Sequence, residues 1–157
     1  MKRVILDTCV WVNGLLHVDP HADRIIKAIA NQELEVVISS YGVVEVFTVF
    51  RRLAWELRVP PTVLERDIWA IWNQSNVIKE FSTDITMALL YEVRRQKEIE
   101  LLAKILELEP KDVPFIVLAY NHKIPLITTD ERSLWANRQK IEKMTGVRIL
   151  LSKEWSI

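Results

Sequence analysis

Asp7 follows the apolar residues Val4, Ile5 and Leu6, and apolar residues resume after Thr8. A carboxylate between two such runs is costly to bury unless a backbone cap, a basic partner or a metal ion offsets its charge. Aspartate just after a strand is a common N-cap that accepts a backbone N–H of the following helix. Thr8 is a second candidate for that capping role, so cap and active site both stay open for Asp7. Asp130 follows the apolar stretch PLITT. Thr128 and Glu131 have the spacing of a Thr-x-x-Glu capping box. Such a box would place Asp130 in a helical first turn, where the dipole favours an anion anyway. Asp112 shares a helical face with Phe115, Ile116, Ala119 and Tyr120. That face should be directed at the core, although Pro114 marks a first turn and leaves capping open here too. Glu45 groups with Thr48, Arg52 and Glu56, opposite Val43, Val46, Phe47, Phe50, Leu53, Ala54 and Leu57. Periodicity alone puts it on a solvated face.

Taken together, these acids suggest chemistry that none suggests singly. Carboxylates gathered in one cleft repel, and some stay protonated without a cation. A hard divalent ion with oxygen ligands, Mg²⁺ or Mn²⁺, resolves the conflict. Such a site activates water and neutralises the charge that develops on a phosphodiester under attack. His17, His21 and His122 show no metal-ligand spacing and read as surface or loop residues. Cys9 is the single cysteine, so an internal disulfide and a cysteine-based zinc cluster are both excluded. The three glycines cannot supply a glycine-rich phosphate loop.

The elements that would position these acids alternate between strands and helices. Strands are expected at residues 3–6, 35–39, 76–82, 124–130 and 146–151. Helices are expected after the first strand, at 21–32, at 43–57, from Pro61 onward, at 83–96, at 99–109, at 111–123 and at 131–144. The strands lack polar/apolar alternation, which indicates a parallel sheet covered on both faces. The fold class is therefore α/β, with about five strands in three α/β/α layers. In such sheets ligands bind beyond the carboxyl ends of the strands, where Asp7 and Asp130 are expected. A chain of 157 residues is most simply one domain spanning 1–157. Half of its residues are hydrophobic, its formal net charge is zero, and no apolar run is long enough to span a bilayer. A cytoplasmic protein is expected. Nucleic-acid binding would need a local basic patch, because the total charge does not supply one.

The order and spacing of these segments resemble the PIN domain family, especially the VapC-like toxins and their small prokaryotic relatives. ILDTCVWVNGLL is similar to the opening strand with its Asp-Thr pair. SSYGVVEVFTVFRR is similar to the second segment, with Glu45 as its glutamate. KDVPFIVLAYNHKIPLITTDERSLW is similar to the third and fourth, with Asp112 and Asp130. The resemblance runs from the first strand to about Trp135. It implies a metal-dependent ribonuclease with Asp7, Glu45, Asp112 and Asp130 as acidic ligands of one or two Mg²⁺ or Mn²⁺ ions. Thr8 and Thr128 would be hydroxyls orienting a carboxylate or a bound water. Two departures stand out. Cys9 replaces the usual asparagine or serine, and Arg132 stands where relatives often carry another acid.

RNA would be the substrate, with Arg51, Arg52, Arg132 and Arg138 as candidate phosphate contacts. The plainer reading of these arginines is solvation or pairing with Glu56 or Glu142. Trp69 lies off the stripe made by Leu64, Ile68, Ile71 and Trp72, so a wide apolar arc is expected there. Such an arc suits a homodimer or an antitoxin groove, as the VapC-like resemblance implies, and the chain would then be the toxin of a toxin–antitoxin pair. Two rival readings remain. One is a non-catalytic PIN-like module that binds RNA or protein. The other is phosphoryl transfer to Asp7, with Lys153 as the lysine that chemistry needs.

Overall fold

The computed structural model describes residues 1–80 and 96–156. Five strands form one all-parallel sheet: β1 (Lys2–Leu6), β2 (Leu34–Ser39), β3 (Val77–Glu80), β4 (Leu126–Thr128) and β5 (Ile149–Leu151). Their order is β3-β2-β1-β4-β5. The chain builds outward from β1 to one side and then returns to its other side with β4. The crevice of such a sheet lies where the order reverses, at the carboxyl ends of β1 and its neighbours. Backbone pairing of Leu6 with Ile127 brings the last residues of β1 and β4 side by side there.

Successive strand residues point to opposite faces, and the core divides accordingly. Val4, Leu6, Val36, Ile38 and Ile127 pack on one face with Trp11, Ile25, Ile29, Phe50 and Trp72. Ile5, Val37, Leu126 and Ile149 pack on the other with Phe115, Ile116, Ala119, Leu134 and Ile141. These are the three expected layers. The first face is covered by α1 (Thr8–Leu15), α2 (Pro20–Ala30), α3 (Ser40–Leu57) and α4 (Pro61–Trp72), the second mainly by α6 (Val113–His122) and α7 (Arg138–Thr145). Among the described residues the remaining helix, α5 (Gln96–Leu106), packs against α6. At Gly14 a Cβ would lie 2.8 Å from the Ala22 carbonyl oxygen. Glycine therefore lets α1 seat tightly on α2, which fixes the helix that begins beside Asp7.

The helix expected at 83–96 lies outside the described residues apart from Gln96, and so does the end of the strand expected at 76–82. Two expectations change. The helix expected at 131–144 begins only at Arg138, and residues 131–137 form turns. The reason is local. An Asp130 carboxylate oxygen accepts the Arg132 N–H at 2.8 Å, a turn that competes with helical bonding. No capping box forms there, because Glu131 pairs with Lys153 at 2.9 Å and the Thr128 hydroxyl is engaged elsewhere. Lastly, the helix expected from 43, with Glu45 in its first turn, begins at Ser40 under the Ser39 hydroxyl cap, so Glu45 sits in the second turn of α3.

Candidate active site

All four acids belong to segments that start or end at the carboxyl edge of the sheet. Asp7 directly follows β1, and Asp130 lies two residues past β4. Glu45 is on α3, which leaves the end of β2. Asp112 ends a 3-10 turn, Pro110–Asp112, that leads into α6. Because α6 runs back toward the start of β4, its N-terminus must lie at the carboxyl edge.

Asp7 is 7% exposed, and its backbone N–H extends the sheet pairing to the Ile127 carbonyl at 2.9 Å. One carboxylate oxygen, Oδ1, accepts the Thr8 N–H at 2.7 Å, and Asp7 is the N-cap of α1. The proposal that Thr8 caps instead is therefore corrected: Thr8 is the first helical residue. Oδ2 accepts the Thr128 hydroxyl at 2.9 Å and the Cys9 thiol at 3.0 Å. Burial drives the Asp7 carboxyl above its usual range, these donors oppose that, and the Asp130 charge adds to it. Cys9 is in turn held by the Thr129 N–H at 3.3 Å. Burial and the neighbouring Asp7 push its thiol up to about 12. It is a neutral hydrogen donor and not a nucleophile.

Asp112 is 6% exposed and makes no capping bond, so the capping role left open for it does not apply. Its Oδ2 accepts the Ser133 hydroxyl at 2.5 Å. Burial raises its carboxyl to about 6, Ser133 and Lys111 oppose the rise, and Asp7 adds to it. Phe115, Ile116 and Ala119 are buried as their spacing predicts, but Tyr120 is 59% exposed. Glu45 is half-buried rather than solvated. Burial raises its carboxyl, Lys111 and Tyr41 pull it back, and Asp7 pushes it further. Asp7 is thus close enough to act electrostatically on Asp112, Glu45 and Asp130 alike. Asp130 stands at the rim, half-buried, with the exposed Arg132 guanidinium 3.7 Å away.

A divalent ion fits the chemistry of this donor set. The acids supply hard oxygens, and burial and mutual repulsion oppose their ionised forms, which a cation would relieve. A carboxylate offers about four acceptor positions; Asp7 uses three, leaving one on Oδ1. On the next residue the Thr8 hydroxyl oxygen is buried without a partner, an orphan that a bound water would satisfy. Among the described residues, however, no three His, Cys, Asp or Glu side chains are placed to hold an ion as they stand.

Four residues unmarked by the sequence reading shape the site. Ser133 fixes Asp112, Lys111 pairs with Glu109 at 3.1 Å and acts electrostatically on Asp112 and Glu45, and Tyr41 donates to the Lys111 carbonyl at 2.8 Å. Asn13 donates to the Thr129 hydroxyl at 3.2 Å. Ser133 was hidden by the helix expected at 131–144, which would have fixed its direction differently. Of the candidate phosphate contacts, Arg51 pairs with Glu65 at 3.0 Å, not with Glu56. Arg138 lies over the Trp135 ring at 3.7 Å, not on Glu142. Arg52 and Arg132 are exposed. Lys153 is taken by Glu131 and exposed, which deprives phosphoryl transfer at Asp7 of its expected lysine. Two histidines pair with acids outside the four candidates, His17 with Asp23 and His122 with Glu80.

A family model described as the PIN domain matches residues 3–133. No curated protein matches the chain.

Proposed function

The chain belongs to the PIN domain family, a nuclease-type family that generally uses divalent metals, and from that premise we propose that it is a Mg²⁺- or Mn²⁺-dependent ribonuclease. The observation that carries this reading is the pair Asp7 and Asp112. Both are under a tenth exposed, both carboxyls are raised by burial, and Asp7 raises Asp112 further. Buried acids set against each other in this way are the mark of a cation site or an acid–base site.

Asp7 and Asp112 hold the principal ion, with Glu45 and Asp130 contributing directly or through water. A bound divalent ion supplies an activated water and stabilises charge on the phosphodiester and its leaving oxygen. The chain's own groups do the rest. Cys9, Thr128 and the Thr8 N–H hold the Asp7 carboxylate in one orientation. Ser133 restrains Asp112. The Thr8 hydroxyl oxygen is buried without a hydrogen-bond partner, and on this reading it receives or orients a water. Arg52 and Arg132 offer exposed guanidiniums to phosphates at the rim.

Trp69 is 37% exposed and packs against Phe47 and Trp72, and Val63 on the same helix is also exposed. This α4 face is where a homodimer partner or an antitoxin would bind. On this reading the chain acts in the cytoplasm, as the toxin of a toxin–antitoxin pair or as a housekeeping nuclease. No described helix is long and apolar enough to cross a membrane.

One observation favours a second reading, a non-catalytic module that binds RNA or protein: the acids are not gathered into a ligand set as they stand. Cleavage of single-stranded and structured RNAs with Mn²⁺ decides between them. Wild type should cut and Asp7→Asn should not. Equal cleavage by the two proteins, or no cleavage by wild type together with no Mn²⁺ binding, overturns the nuclease.

A further inference from the structure

We infer that Ser133 is a positioning residue for Asp112, turning one carboxylate oxygen aside so that the other is presented to the ion. The inference rests on the metal site proposed above. The Ser133 hydroxyl has one hydrogen, and it goes to Asp112 Oδ2 at 2.5 Å, across 21 residues of sequence. It is the one hydrogen bond from another side chain to Asp112 among the described residues. Asp112 makes no capping bond to α6, so nothing in its own helix sets its rotamer.

Ser133 is itself held firmly. Its carbonyl accepts the Asn137 N–H at 3.2 Å and the Asn137 side-chain amide at 3.1 Å. The next residue, Leu134, is 1% exposed and anchors the turn in the core of the second face. The turn therefore stays in place when the hydroxyl is removed, and what is lost is the restraint on Asp112. Asp7 has three donors fixing its carboxylate; Asp112 depends on this single one. Groups that orient a metal ligand typically cost 10–100-fold in affinity when removed.

The test is Mn²⁺ binding to the metal-free full chain, followed by the electron paramagnetic resonance signal of free Mn²⁺, with Tm measured alongside. Ser133→Ala should weaken Mn²⁺ binding about 10-fold or more with little change in Tm. Ser133→Thr, which keeps the hydroxyl, should stay near wild type. Unchanged affinity in Ser133→Ala overturns the inference and leaves the metal site standing. So does a loss in Ser133→Thr equal to that in Ser133→Ala, and so does a loss that comes with a large fall in Tm, which marks a structural role. A wild type that binds no Mn²⁺ overturns the metal site itself, and the positioning role with it.

Discussion

Asp7 and Asp130 occupy equivalent places, just past the ends of the neighbouring strands β1 and β4, yet their surroundings are opposite. Asp7 is buried beneath α1 and carries three hydrogen bonds to its carboxylate. Asp130 stands at the rim, holding only its own turn through the Arg132 N–H and lying near the Arg132 guanidinium. The difference begins with single residues. After β1, the chain enters a helix at once, and its first residues Thr8 and Cys9 turn their donors onto Asp7. After β4, Thr128 gives its hydroxyl hydrogen to Asp7 and accepts the Asp130 N–H at 3.0 Å. One threonine thus serves both acids, orienting the carboxylate of the first and only the backbone of the second. A strand end fixes where an acid stands, and its neighbours decide whether it is fixed in one pose.

The contrast predicts a gradient in activity. Asp7→Asn should cause the largest loss, at least about 10³-fold in kcat/KM for Mn²⁺-dependent RNA cleavage, as for other groups that act as part of a unit. Far-ultraviolet circular dichroism should show the fold intact. A loss under tenfold would break the comparison, because Asp7 would then be a cap and nothing more.

Asp112→Asn comes next, with a loss of about 10²-fold or more and an effect on stability of the opposite sign. The folded-state value of about 6 lies above the ordinary 3.8. The native protein therefore binds this proton more tightly than the unfolded chain does. Both forms are protonated below about pH 4, where Asp112 has no net effect. As pH rises through about 6 the native state is left with a buried charge, at a cost of no more than about 3 kcal/mol. In thermal melts of metal-free protein, wild type and Asp112→Asn should match near pH 4. At pH 7.5 the variant should be more stable, by several degrees at most. Equal melting at both pH values would mean that Asp112 is not strained.

The positions of these two acids were legible in the sequence to different depths. Asp7 could be placed from the apolar run before it, and Asp112 from Phe115, Ile116 and Ala119, which are buried as their spacing predicts. The five parallel strands followed from apolar runs between helical stretches. The environment of Glu45 was not legible. Helical periodicity puts it opposite the core stripe, yet the 110–112 turn returns against α3 through Tyr41 and Lys111, and both act on the half-buried Glu45. Ser133 was hidden for a different reason. A helical pattern continues backward from residue 144, but the local Asp130–Arg132 turn stops it at 138. Contacts between segments far apart in sequence carry no periodic signal, which accounts for Glu45, whereas a side-chain bond only two residues long accounts for Ser133.

Cys9 tests how much the donors on Asp7 matter. Cys9→Ser keeps a hydrogen for Asp7 Oδ2 and should retain cleavage within a few-fold, whereas Cys9→Ala removes one of three donors and should lose about 10-fold. Because the thiol stays neutral, with its value near 12, treatment with a thiol-alkylating reagent at pH 7.5 should modify it slowly. Rapid alkylation with loss of activity would mean that the first turn of α1 opens more readily than the bonds of Cys9 to Asp7 and Thr129 allow.

The smallest effect should come from Asp130→Asn. Asparagine keeps a carbonyl oxygen to accept the Arg132 N–H and suits the same turn, so neither the fold nor the Thr128 bond to Asp7 should change. Two electrostatic consequences remain. Arg132 loses its anionic neighbour and is freer to meet a phosphate, while Asp7 loses one of the charges that raise its carboxyl. Activity should fall less than tenfold, and the acidic limb of the pH–rate profile should move to lower pH as Asp7 ionises more readily. The direction of that movement separates the two roles open to Asp130. An acid that holds the ion directly would take activity down with it at every pH. An acid at the rim that acts through Asp7 shifts the profile and leaves the plateau nearly where it was.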